Sequence, residues 1–266
     1  MTCAFLQTLY SNYCKYVDQF REPCGTLSHM HQLKVEHTEQ VVANARLLMN
    51  GEAWLESRVW VGEACALLHD IGRHVQLRDY GTFRDADSID HAVCGVKVIQ
   101  QEGLLDTLDR QSRADITVAV ALHNRIGVPC GVRPRVAHLA HLVRDADKLD
   151  IFRVLETVIA DGSLVEHPEI SWGLQVNGPP SPFVVESVCA GSPVGYGDVK
   201  NLSDFILIQI GWLISGFHYT TSLRLAAERE VISYREAFLK TLSNDPAIAR
   251  CCAVAREHIN RTVRLK

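Results

Sequence analysis

An almost wholly apolar segment, residues 59–68, ends in the doublet His69-Asp70. Because apolar side chains occur on nearly every face of this segment, it predicts a helix buried in the middle of a domain. Gly72 follows two residues after the doublet and predicts that the helix stops there in a left-handed cap. An imidazole and a carboxylate would then emerge together from the buried end of a core helix. Since an unpaired buried carboxylate is costly, the sequence predicts a positive partner there, most simply a divalent metal.

The composition is that of an ordinary globular protein. The chain has 266 residues, 47% of them hydrophobic and 22% charged, with a net charge of −4. This net charge argues against a polycationic protein that binds nucleic-acid polymers or acidic membranes. Nine cysteines without a C-x-x-C pair favour reduced thiols in a cytosolic protein. No signal peptide is evident, and the longest apolar stretch, residues 205–217, is too short to span a bilayer. We therefore expect a cytoplasmic protein without a membrane partner.

Hydrophobic periodicity and turn residues predict an all-α fold in a single helical domain, residues 1–266. The predicted helices cover residues 4–21, 28–50, 59–68, 89–101, 112–124, 134–162, 202–227, 230–242 and 246–263. A polar loop is predicted over residues 73–87, with Ser88 as the N-cap of the next helix. Residues 164–200 are rich in proline and glycine, which is typical of a lid, a binding loop or a disordered connection.

Two further residues are predicted to face the core beside the doublet. His37 shares an apolar helix face with Leu33 and Val41. Asp147 continues the apolar stripe of the long helix over 134–162, whereas Asp145 lies roughly 200° away at about 100° per residue. We therefore expect Asp147 to point inward and Asp145 to serve as a supporting or structural residue. This long helix carries apolar residues on its other side as well, so it is a candidate for burial nearly all round.

His37, His69, Asp70 and Asp147 would offer two imidazoles and two carboxylates. Such a set suits Mn, Fe, Co, Ni or Mg better than a structural zinc ion. In its order along the chain the set resembles the signature of the HD superfamily of metal-dependent phosphohydrolases, which is a histidine, a His-Asp doublet and a distant aspartate. The matching strings are Glu36-His37-Thr38, Leu68-His69-Asp70-Ile71-Gly72-Arg73 and Asp145-Ala146-Asp147-Lys148-Leu149.

The resemblance covers about residues 30–160. It implies an HD-domain helical bundle with its core at about residues 28–160. The remaining residues, about 161–266, would form a C-terminal helical extension that includes the irregular loop.

His91 and His123 lie near predicted helix ends on apolar faces. In some members of the superfamily, including HD-GYP phosphodiesterases and diiron oxygenases, two additional histidines bind a second metal and the doublet aspartate bridges the ions. The resemblance thus implies that Asp70, His91 and His123 hold a second ion. The alternative is a mononuclear enzyme in which His91 and His123 line the pocket, binding phosphate or acting as acid or base. HD-GYP proteins have lysine where this chain has Arg73, and the Gly-Tyr-Pro string is missing, which argues against a cyclic-dinucleotide substrate.

Metal-activated water could attack phosphorus, and phosphoryl transfer also needs cations around the phosphate oxygens. Asp70, Arg73, Arg125 and Lys148 are therefore the candidate catalytic residues. Simpler interpretations stay open: Arg73 pairs with loop acids such as Asp85, Arg125 holds its loop, and Lys148 pairs with Asp145 or faces solvent. His74 could act as a general acid, but the sequence favours an exposed loop histidine.

The leading hypothesis is a phosphohydrolase that acts on a nucleotide or another small phosphorylated metabolite with one or two divalent ions, most simply Mn or Fe. One alternative is a mixed-valent diiron oxygenase of the HD type. Another is a non-catalytic sensing module with a structural metal. The sequence leaves the oligomeric state open.

Overall fold

The computed structural model describes residues 2–165 and 173–264. Within those ranges it is helical and contains no strand, apart from an isolated β-bridge between Gln175 and Asn201. The predicted all-α fold class is confirmed. The chain divides into two compact units, Met1–Asp150 and Ile151–Lys266. The prediction of one domain with an HD core and an extension stays a prediction.

The first unit is built around a buried central helix. Its helices are α1 (Thr2–Asp18), α2 (His29–Gly51), α3 (Glu56–Leu68), α4 (Gly72–Tyr80), α5 (His91–Gln101), α6 (Arg110–Leu122) and the part of α7 (Pro134–Ala160) up to residue 150. Helix α3 packs against α1, α2 and α6, which explains why its residues from Gly62 to Leu68 are buried. Helix α5 packs against α4 and α6.

Side-chain caps set the starts of α2 and α5. Ser28 accepts a hydrogen bond from the amide of His31 at the start of α2. Asp90 caps α5 by accepting from the amides of Ala92 and Val93. The predicted cap at Ser88 is therefore wrong. The aspartate two residues later satisfies the free amides of the first turn instead.

The predicted polar loop over residues 73–87 is wrong in its first half, because residues 72–80 form helix α4. The helix ends at Gly81, which adopts the left-handed conformation with φ of 65°. The prediction that His74 is exposed is also wrong, since His74 is 1% exposed. Its ring stacks on that of His31 with 7° between the planes, and the two Nδ1 atoms lie 3.0 Å apart.

Gly72 does not form the predicted left-handed cap. Helix α3 ends at Leu68, and Gly72 starts α4 with φ outside the left-handed range. A Cβ atom at this position would lie 2.3 Å from the carbonyl oxygen of His91 and 2.4 Å from the amide nitrogen of Gly95. The glycine is therefore needed for the close approach of α4 to the backbone of α5.

The second unit contains the end of α7, then α8 (Pro182–Cys189), α9 (Leu202–Gly211), a π-helical turn (Trp212–Gly216), α10 (Thr220–Glu228), α11 (Val231–Leu242) and α12 (Pro246–Arg264). The prediction of one helix over 202–227 is wrong, because Phe217 adopts an extended backbone that separates α9 and its π turn from α10. The irregular segment 164–200 contains α8, and its residues 166–172 lie outside the described residues. The role of this segment as a lid stays a prediction.

The core of the second unit includes a buried guanidinium. Arg235 is 1% exposed and donates hydrogen bonds to Gln209, to Glu156 and to the carbonyl of Phe152. Its guanidinium carbon lies 4.3 Å from the centroid of the Phe152 ring. Such a complete set of partners offsets the cost of burying the charge.

Among the described helices, none combines the length and the apolar character needed to cross a bilayer.

We expect Gly72→Ala to lower the free energy of unfolding by about 1–3 kcal/mol, because the added methyl group would push against the backbone of α5. Chemical denaturation of the full chain would measure the change. Gly127→Ala is the matched control, since a Cβ atom at Gly127 meets nothing within 4 Å. An equal effect of both substitutions would contradict the assigned role of Gly72.

The His31–His74 pair predicts a loss of stability in acid. Burial and the neighbouring His31 lower the pKa of His74 to about 3, and burial and Arg78 lower the pKa of His31. The unfolded chain takes up protons below about pH 6.5, whereas the rings of the folded chain take them up only at lower pH. Stability therefore falls as the pH drops below about 6.5, by at most about 1.4 kcal/mol per pH unit for each ring.

The double substitution His31→Phe/His74→Phe keeps two stacked rings and removes both titrating groups. We expect its denaturation midpoint to fall less than that of the wild type between pH 7 and pH 5. The two pH dependences should coincide above pH 7.5. Parallel curves over the whole range would show that the pair does not contribute.

Candidate metal centre

The doublet His69-Asp70 lies in the turn that joins α3 to α4. The carbonyl of Asp70 accepts a hydrogen bond from the amide of Arg73, which ties the turn to the first turn of α4. His69 is fully buried and Asp70 is 5% exposed. The junction of two packed helices thus holds both side chains inside the first unit.

One cluster forms around the Oδ2 atom of Asp70. The Nε2 atoms of His37 and His69 lie 3.7 and 3.6 Å from this oxygen. Asp147, from α7, places its Oδ1 atom 3.1 Å from His37 Nε2 and 4.0 Å from His69 Nε2. The ligand atoms of His37, His69 and Asp70 lie within 4.8 Å of one another and could hold a metal ion.

A second cluster forms around the other oxygen of the same carboxylate. The Nε2 atoms of His91 and His123 lie 3.4 and 3.5 Å from Asp70 Oδ1, and 3.0 Å from each other. These three residues also form a buried group with ligand atoms within 4.8 Å of one another. Asp70 therefore presents one oxygen to each pair of histidines.

All four histidine rings are fixed through their Nδ1 atoms. His69 and His123 donate from Nδ1 to the carbonyls of Ala66 and Val120, at 2.8 and 2.7 Å. His37 Nδ1 lies 2.7 Å from Asp150, and His91 Nδ1 lies 2.7 Å from Asp85. A donating Nδ1 leaves a lone pair on Nε2, which is the arrangement found in metal-binding histidines.

The Nε2 atoms of His37 and His69 are buried without a hydrogen-bond partner. A buried polar atom without a partner costs free energy, and a metal ion would satisfy both nitrogens, at His37 once its proton is displaced. The residues present therefore fit a divalent ion at the first cluster.

The protonation of the imidazoles depends on their neighbours. Burial lowers the pKa of His69 to about 4, and burial together with Arg73 lowers the pKa of His91 to about 4, so both rings are neutral at pH 7. Burial and Lys34 also favour the neutral ring of His37, but Asp147 and Asp150 outweigh them and raise its pKa. Metal uptake at His37 would therefore displace a proton.

The carboxylates of Asp70, which is buried, and of Asp147, which is 20% exposed, both stay ionised. Burial would raise the pKa of Asp70, but Lys34, His69 and Arg73 outweigh it and hold this pKa well below the usual range. The pKa of Asp147 is lowered in the same way, by the His37 ring. The centre thus combines neutral or protonated imidazoles with anionic oxygens.

Arg73 lies at the centre but is held by several partners. Its Nε atom is 3.4 Å from Asp70 Oδ1. Its NH1 group donates to Gln76, to the carbonyl of Phe83 and to Asp85. Arg73 therefore faces the doublet, as expected of a catalytic cation, and also pairs with the loop acid Asp85, as expected of a structural residue.

The other two predicted cations have partners away from the clusters. Arg125 is 44% exposed and forms an ion pair with Asp90 at 2.7 Å, as expected if it holds its loop. Lys148 donates to the carbonyl of Arg144, and burial together with the charge of Arg144 lowers its pKa to about 8. Asp145 is buried, and its charge acts on Lys148 in the opposite direction.

The sequence did not predict that Lys34, Asp150 and Asp85 contact the candidate ligands. Lys34 lies three residues before His37, and Asp150 lies three residues after Asp147, so helical spacing alone places each on the face of a candidate ligand. Asp85 lies in the segment between α4 and α5. No local spacing relates it to His91, because the contact depends on how the loop returns to the start of α5.

The packed helices thus bring together a set of histidines and aspartates that could hold metal ions. A comparison with protein-family models matches residues 35–151 to the HD domain family. This part of the chain is an HD domain, and the predicted relationship to the HD superfamily is confirmed. Neither the comparison with curated proteins nor that with solved structures finds a match.

We expect Asp85→Asn to weaken metal binding at the cluster of Asp70, His91 and His123 about 10- to 100-fold, because His91 would lose its anionic partner. Asp87→Asn is the matched control, since Asp87 is an exposed neighbour paired with Arg84. Chelator competition with the full chain would measure both affinities. An unchanged affinity in Asp85→Asn would contradict the role given to Asp85.

Proposed function

We propose that the chain is a metal-dependent phosphohydrolase that cleaves a phosphate ester of a nucleotide or another small phosphorylated metabolite. The HD family generally includes metal-dependent phosphohydrolases. The observation that carries the proposal is the carboxylate of Asp70, whose oxygens lie 3.4–3.7 Å from the Nε2 atoms of two histidine pairs. With this arrangement Asp70 could contribute one oxygen to each of two ion sites.

In this proposal His37, His69, Asp70 and Asp147 hold the first ion. Asp70, His91 and His123 hold the second. Mixed imidazole and carboxylate ligands suit Mn or Fe, and also Co, Ni or Mg. When bound, a divalent ion supplies Lewis acidity and lowers the pKa of water.

The residues of the chain orient and shield the reacting groups. The Nδ1 contacts of the histidines keep their lone pairs directed inward, so little reorganisation is needed when ions bind. Arg73 faces Asp70 and is our candidate for stabilising negative charge on the phosphate. Arg125 and Lys148 were predicted for the same task, but their contacts with Asp90 and with the Arg144 carbonyl support structural roles. The net charge of −4 supports a small substrate over a nucleic-acid polymer.

Elemental analysis of the protein purified without chelators tests the two-ion centre. We expect close to two Mn or Fe ions per chain, and close to one in His91→Ala and in His123→Ala. His29→Ala, which changes an exposed histidine at the start of α2, should keep both ions. A single ion that persists in both variants would contradict the second site and leave His91 and His123 facing the substrate.

Hydrolysis of p-nitrophenyl phosphate and of bis-p-nitrophenyl phosphate by the metal-loaded chain tests the reaction. Asp70→Asn should lower the rate at least about 100-fold, because it removes the shared negative oxygen from both clusters. Oxygen consumption by iron-loaded protein without phosphate release would favour the diiron oxygenase. Inactivity of fully loaded protein in both assays would favour a sensing module.

A further inference from the structure

We propose that Lys34 binds the phosphate group of the substrate, an inference that rests on the proposed phosphohydrolase function. Lys34 extends from α2 one turn before His37. Its Nζ atom lies 2.8 Å from Asp70 Oδ2, and its side chain is 15% exposed. The ammonium therefore lies at the centre and still borders solvent, from which a substrate would enter.

The contacts of Lys34 leave its charge available. Within the described residues, the hydrogen bond of Nζ goes to Asp70 alone, and the ammonium lies 4.9 Å from the centroid of the Phe83 ring. The Arg73 guanidinium lies 5.8 Å from the same centroid, so two cations border this aromatic ring. Arg73 is held by hydrogen bonds, whereas the four-carbon stem of Lys34 can turn its ammonium by rotation about single bonds.

The charges near Lys34 determine in which direction its ammonium would turn. Asp70 Oδ2, which Lys34 contacts, also faces His37 and His69. A divalent ion held by that oxygen would repel the ammonium. An anion that contacts both charges removes the repulsion, and a phosphate group with several oxygens can do so. Lys34 would thus neutralise the carboxylate in the absence of metal and turn to the substrate when metal is bound.

A purely structural role for Lys34 makes a different prediction. If the ammonium were only a counter-ion of Asp70, its removal would strengthen metal binding and leave the affinity for phosphate unchanged. The two roles therefore separate when metal binding and phosphate binding are measured independently.

The test is calorimetric titration of the manganese-loaded full chain with inorganic phosphate. We expect Lys34→Met to weaken phosphate binding about 10- to 100-fold, since it removes a charge-assisted hydrogen bond. Lys34→Arg should stay within a few-fold of the wild type. Lys97→Met, which removes an exposed lysine from α5, should leave the affinity unchanged. Manganese affinity, measured separately by electron paramagnetic resonance, should be no weaker in Lys34→Met than in the wild type.

Equal phosphate affinity in wild type and Lys34→Met would overturn the inference, as would a loaded wild-type chain that does not bind phosphate. A weaker manganese affinity that fully accounts for weaker phosphate binding would also overturn it. Phosphate binding requires no turnover. Binding through Lys34 without hydrolysis of any ester would therefore contradict the proposed function and uphold the inference, while hydrolysis with phosphate affinity unchanged in Lys34→Met would contradict the inference alone.

Discussion

The buried carboxylate of Asp70 is the interaction on which the centre depends. It is anionic, nearly inaccessible and placed between two pairs of imidazoles, so it determines where positive charge can be held. Its position depends in turn on helix packing. The backbone of α4 can approach α5 only because Gly72 has no side chain, and this approach fixes the turn that carries the doublet. The close packing of α4 on α5 therefore determines where the negative charge of Asp70 lies.

Much of this arrangement follows from local sequence patterns. The apolar faces of the helices predict their spans, and the same faces select His37 and Asp147 over their neighbours. Helix α4 was missed because its buried polar residues resemble a loop. Gln76, for example, is buried and donates to Asp85, to Ser88 and to the carbonyl of Ile89, partners that only the folded chain supplies.

Contacts between distant segments account for the other failures. His74 becomes buried because its partner, His31, lies 43 residues away. Asp90 replaced Ser88 as a cap, although both residues can fill this position, because the geometry of the loop decides which side chain reaches the free amides. The ligand types could be predicted from the sequence, whereas the residues that support them required the structure.

The support of the four rings differs in what it demands of the sequence. His69 and His123 each follow the last residue of a helix and donate from Nδ1 to a backbone carbonyl three residues earlier. Any residue at positions 66 and 120 provides that carbonyl, so these positions are free to vary within the limits of packing. His37 and His91 instead depend on the side-chain carboxylates of Asp150 and Asp85. If either carboxylate is lost by substitution, the backbone cannot take its place.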